Sequence, residues 1–145
     1  MRPYIICHMM ASLDGRIDCS MTEQIDDTNH YYDALEELDC PSTLEGKTTM
    51  QMHYALPGIY LPKGEAKAAG KQVFRATDSD GYAIGVDTRG TLLWGDNTTE
   101  LFGRPLLMIL SESVSWEYLD DLKSKGISFI TIGEDGRIDL EAAMR

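Results

Sequence analysis

The sequence predicts an α/β fold in which a mostly parallel central sheet is flanked by helices. Three observations predict it. Short apolar runs bounded by turn residues recur at 4–10, 81–87, 106–110 and 127–132, as in strands buried on both faces. Between them, apolar residues fall at helical spacing, with Tyr31, Leu35 and Leu38 on one face. The 106–132 stretch then reads strand, helix, strand at lengths that make a parallel βαβ unit.

The chain has 145 residues, enough for one domain over 1–145 with a real core. Its formal net charge of −11 disfavours nucleic acid and anionic membranes as partners. No apolar run is long enough to span a bilayer. The charge at Arg2 is followed by too short an apolar run, broken by His8, for a signal peptide. Cys7, Cys19 and Cys40 fit neither a disulfide framework nor a metal site, which suits a reducing cytoplasm. No metal is expected.

The first run ends in Ser12, Leu13, Asp14, Gly15, Arg16 and Ile17, so a strand gives way to a polar loop. Ligands in open α/β sheets bind just beyond the carboxyl ends of strands. The same residues also read as a plain Asp-Gly turn. A polar loop follows from Cys19 to Asp27, and Asp26, Asp27 and Thr28 offer N-caps for a helix that Pro41 stops. Tyr31 and Tyr32 read as packing residues.

Next, a short strand ends near Glu45 and a helix starts near Thr48. Gly46 permits close backbone approach. Lys47, Thr48 and Thr49 supply a cation and hydroxyls that suit a phosphate. A Walker A motif is excluded, because Pro41 stands where its first glycine would be. The alternative is an ordinary Thr-capped helix start. The helix runs on to Pro57 and Gly58, with His53 lacking any triad or metal partner. Residues 59–80 read as a solvated loop with Lys63, Lys67, Lys71 and Arg75. The 81–87 strand is expected to turn at Thr88, Arg89 and Gly90 and return as a hairpin over 91–94. Pro105 precedes the 106–110 strand, which ends at Ser111. A helix marked by Trp116, Leu119 and Leu122 stops at Gly126. After the 127–132 strand, Gly133 to Gly136 make a turn and Asp139 caps a last helix.

These motifs carry a resemblance. RPYIICHMMASLDGRI, the Gly46-Lys47-Thr48-Thr49 helix start and the βαβ unit ending its first strand at Ser111 resemble, in order, the RibD C-terminal family. That family comprises reductases of riboflavin biosynthesis with a dihydrofolate reductase-like fold. The resemblance spans essentially the whole chain but only the front part of the family domain. Its C-terminal strands and a Gly-Gly pyrophosphate turn are missing, which leaves a fragment or a shortened relative.

The resemblance implies an NADPH-dependent oxidoreductase that transfers a hydride to a small heterocyclic or ribosyl-phosphate substrate. The implied type is the 5-amino-6-(5-phosphoribosylamino)uracil reductase. It implies substrate contacts at Ser12, Asp14 and Arg16, with Asp14 the catalytic candidate. Implied cofactor contacts are Ala11, Gly15, Ile17, Gly46, Lys47, Thr48, Thr49 and Ser111. Cytoplasmic location and a homodimer are expected with it. Two alternatives stay open. A pterin reductase of the same fold would need a carboxylate on the first helix, where Asp27 and Asp33 are the nearby candidates. A non-catalytic nucleotide-binding or structural module fits the missing Gly-Gly segment.

Overall fold

The computed structural model describes residues 3–17, 20, 24–25, 29–64 and 67–145. The expected caps Asp26, Asp27 and Thr28, and also Cys19, lie outside the described residues. The chain divides into two compact units, Met1–Cys40 and Pro41–Arg145.

In the first unit, helix α1 spans Asn29–Glu37. Its Tyr31 packs as expected: the His8 ring stacks on it at 4.5 Å, and His8 Nε2 donates to the Tyr31 carbonyl at 3.1 Å. The 4–10 run is not the expected buried strand. It has no ladder among the described residues, and Tyr4 and Ile5 are 92% and 73% exposed. An apolar pattern supplies a burial preference but no hydrogen-bonding neighbour, and a strand exists only where backbone groups find one.

The second unit is mixed α/β, with a mostly parallel six-stranded sheet flanked by helices. Its elements are β1 (Thr43–Gly46), α2 (Lys47–His53), β2 (Gln72–Phe74), β3 (Ala83–Val86), β4 (Glu100–Leu101), β5 (Arg104–Leu110), α3 (Trp116–Ser124), β6 (Ser128–Thr131) and α4 (Leu140–Ala143). The sheet order is β1-β3-β5-β6-β2, and β4 folds back on β5. Strands β1, β3, β5 and β6 are parallel, with Gly46 beside Val86, Val86 beside Ile109 and Leu110 beside Thr131. Their carboxyl ends therefore share one edge. Strand β2 runs antiparallel along β6.

The core lies on one side of this sheet. Met108, Leu110 and Phe129 point from the strands toward Leu92, Trp94, Tyr118, Leu119 and Leu122, and Met50 of α2 joins the cluster. Ser115 caps α3 by accepting from the Tyr118 N–H at 3.3 Å, and Gly126 follows the helix at φ 70°. Burial of large side chains at such positions supplies most of the folding free energy, roughly 1.5–3 kcal/mol each.

Two expectations need correction. The 91–94 segment does not return as a hairpin on β3, whose neighbours are β1 and β5. The Asp87 carboxylate, wholly buried, accepts from the N–H groups of Thr91 (2.6 Å) and Leu92 (2.9 Å). Those donors are thus committed to a side chain instead of a ladder. The segment turns inward, and Leu92 and Trp94 become core. The second correction concerns 59–80, read as loop. It contains β2, too short to show periodicity and recruited by β6 from far along the chain.

Candidate functional site

In the first unit, the loop after the 4–10 run closes on itself. Gly15 N–H donates to the Ser12 carbonyl and Ser12 N–H to the Arg16 carbonyl, both at 2.9 Å. Gly15 sits at φ 82°, which only glycine adopts without strain. The Ser12 hydroxyl donates to Asp14 Oδ1 and accepts from the Arg16 N–H at 3.0 Å. Arg16 Nε lies 3.3 Å from Asp14 Oδ2. The three expected substrate residues are thus brought together, with Asp14 and Arg16 exposed and Ser12 half-buried. Ala11 and Ile17 flank them and are exposed. The loop presents a carboxylate, a guanidinium and a hydroxyl in fixed relation, a set that can bind a polar, hydroxyl-bearing ligand.

In the second unit, the expected cofactor segment stands at the carboxyl edge of the sheet. Strand β1 ends at Gly46 and passes without a loop into α2, so Lys47, Thr48 and Thr49 form its first turn. Gly46 to Thr49 are all exposed, and none of their side chains is engaged in a hydrogen bond or ion pair among the described residues. A Cβ added at Gly46 would meet nothing within 4 Å, so open space lies over the backbone there. One cation, two hydroxyls and bare backbone amides at an open edge fit the phosphates of a dinucleotide.

Glu45 precedes this segment. Its Oε2 is buried with no hydrogen-bond partner among the described residues. Burial pushes its carboxyl above the ordinary glutamate value, and His53 on α2 draws it partly back. A carboxyl held toward its neutral form repels a neighbouring phosphate less than an ordinary glutamate would.

Ser111 follows β5 at the same edge but is wholly buried. Its hydroxyl donates to the Thr88 carbonyl at 2.7 Å and shares a 2.7 Å hydrogen bond with Ser113. The exposed hydroxyl of this loop is therefore that of Ser113. Glu112 then binds the loop after β6: its N–H donates to the Gly133 carbonyl at 3.0 Å, and its Oε1 accepts from the Gly133 N–H at 3.2 Å. The loops after β3, β5 and β6 are knitted into one surface.

A cavity of about 650 Å³ opens where that surface ends, beyond β6. Lys71, Glu134 and Arg137 line it. Sequence reasoning missed all three, taking Lys71 for a surface lysine and 133–136 for a simple turn. The available signal was a glycine-flanked turn placed directly at the carboxyl end of a buried strand. Among the described residues no cluster of His, Cys, Asp or Glu could hold a metal ion. No helix among the described residues is long and apolar enough to cross a membrane. No family model, curated protein or solved structure matches the chain.

Proposed function

We propose that the chain is an NADPH-dependent reductase resembling the RibD C-terminal, dihydrofolate reductase-like family, acting on a small heterocyclic or ribosyl-phosphate substrate. One observation carries the reading. Gly46, Lys47, Thr48 and Thr49 lie unengaged and exposed where four parallel strands end. Lys47 and the two threonines hold the phosphates, and Ser12, Asp14 and Arg16 orient the substrate. NADPH, when bound, supplies the hydride. Asp14 serves by orienting polar groups of the substrate. The outer edge of β1 is unpaired among the described residues, and edge pairing of that kind supports a homodimer.

A non-catalytic nucleotide-binding module is the second reading. It is favoured by the Ser111 hydroxyl, which is committed to Thr88 and Ser113.

The test is NADPH oxidation by the full chain against a panel of pyrimidine and pterin substrates, followed by the loss of reduced-nicotinamide absorbance. Turnover with one class supports the reductase. Tight NADPH binding without turnover on any member supports the module. Failure to bind NADPH at all sinks the reductase, and failure to bind any nucleotide sinks the module as well.

A further inference from the structure

The cavity beyond β6 has walls of three kinds. Lys71 and Arg137 are cations with no ion-pair partner among the described residues. Two unpaired cations on one cavity are notable in a chain of formal net charge −11. Three carboxylates also line it, but two are occupied. Glu112 accepts from the Gly133 N–H, and Asp139 accepts from the Ala142 N–H at 2.9 Å. Glu134 alone is uncommitted among them. Ile132, Ile138 and Leu140 supply apolar surface, and Leu140 is 43% exposed.

The backbone is built to keep this space. Gly133 stands at φ 97°, and a Cβ there would fall 2.5 Å from the Arg137 carbonyl oxygen and 2.7 Å from the Asp139 nitrogen. The loop can curl over the strand end, and carry Arg137 around the cavity, only with glycine at that position.

The three kinds of wall decide the ligand. A bare anion would satisfy Lys71 and Arg137 but leave Glu134 and the apolar wall unused. An apolar ligand would strand both cations. A ligand with an anionic group, hydroxyl donors and a flat apolar ring satisfies all three, and the volume lies in the range of small-molecule sites.

We propose that this cavity binds a phosphorylated nucleoside. Lys71 and Arg137 hold the phosphate, Glu134 accepts from the ribose hydroxyls, and the base lies against Ile138 and Leu140. The site is distinct from Gly46–Thr49. Strands β1 and β6 are three positions apart in the sheet, roughly 14 Å at about 4.8 Å per strand. The ligand is a free mononucleotide, because the dinucleotide phosphates are placed at Lys47 to Thr49, and competition with NADPH tests the separation of the two sites.

The full chain is titrated calorimetrically with adenosine monophosphate, adenosine and inorganic phosphate. Adenosine monophosphate should bind more tightly than either of the others. Lys71→Gln and Arg137→Gln should each weaken it roughly tenfold and leave the weak binding of adenosine unchanged, whereas Glu134→Gln should weaken both adenosine monophosphate and adenosine a few-fold. Amide resonances of Gly133 and Leu140 should shift on titration of the unaltered chain, which reads the site even if a variant folds poorly. NADPH binding without displacement of the mononucleotide supports two separate sites; displacement of the mononucleotide by NADPH overturns the proposal. Undetectable binding, unchanged affinity in both cation variants, equal affinity for inorganic phosphate, or resonance shifts confined to other residues each overturns the proposal. Failure of NADPH turnover with mononucleotide binding intact overturns the reductase reading alone.

Discussion

The phenol of Tyr118 donates a 3.0 Å hydrogen bond to the carbonyl of Leu92, and neither residue is exposed. The bond ties helix α3 to the inward segment that follows β3. Burial first, and then the Asp87 charge, hold the Tyr118 phenol well above its ordinary value. Tyr118→Phe should destabilise the fold by roughly 1–2 kcal/mol, read by chemical denaturation. The raised value has a sign consequence. The unfolded chain ionises this tyrosine near pH 10, before the folded chain does. Stability is therefore fully present below about pH 10 and falls as pH rises further. Tyr118→Phe should remove that part of the alkaline loss. Equal alkaline slopes in both proteins would refute the linkage.

Glu45 gives the same sign at acid pH. Its folded value is raised, chiefly by burial, so the folded chain holds the proton more tightly than the unfolded chain. Its contribution is full below the unfolded value near 4.5 and is lost as pH rises through the folded one. Glu45→Gln should flatten the decline measured between about pH 4 and 7 relative to the unaltered chain. A variant whose pH dependence overlays the original would show that Oε2 finds a partner in solution.

Lys47 carries the expected preference for a 2′-phosphate. Lys47→Ala should cost NADPH binding on the order of 1.5–3 kcal/mol and leave NADH binding nearly unchanged. Fluorescence titration with both nucleotides measures the ratio. An unaltered ratio would remove Lys47 from the cofactor reading.

Among the described residues Asp14 is engaged only by Ser12 and Arg16 of its own loop, and the Asp14 and Arg16 side chains are exposed. Exposed ion pairs of this kind contribute about 0–1 kcal/mol. Asp14→Asn should therefore leave the melting temperature nearly constant while lowering turnover. A fall in melting temperature with turnover unchanged would reduce Asp14 to a turn former.

The parts of the fold legible in the sequence are those whose physics is local or written in composition. Residues 106–110 and 128–131 read as strands because burial on both faces demands continuous apolar residues. Helix α3 was legible through its apolar positions and Gly126, and α4 through Asp139. The Gly46 to Thr49 helix start was legible because the strand end and the helix start abut. What escaped depends on distant partners. Nothing near Thr91 announces that its N–H is taken by the Asp87 carboxylate, so the spacing there suggested a hairpin. Nothing within Gln72–Phe74 reveals its partner strand. Residues 4–10 have the composition of a buried strand and lack the neighbour that would make them one. The cavity escaped for the same reason, since Lys71 and Arg137 meet only through the pairing of β2 with β6.

That pairing sets a timetable. The Gln72 N–H donates to Thr131 Oγ1 at 2.6 Å, between residues 59 apart in the chain. As the chain leaves the ribosome, β1, β3 and β5 emerge in the order in which they lie side by side, and each can dock on its predecessor. Strand β2 emerges before β3 yet must wait for β6, and closing so long a loop delays the step entropically. Lys71 is fixed beside Arg137 only once the 112–116 loop and β6, both far along the chain from it, have folded onto its segment, so the cavity is assembled late.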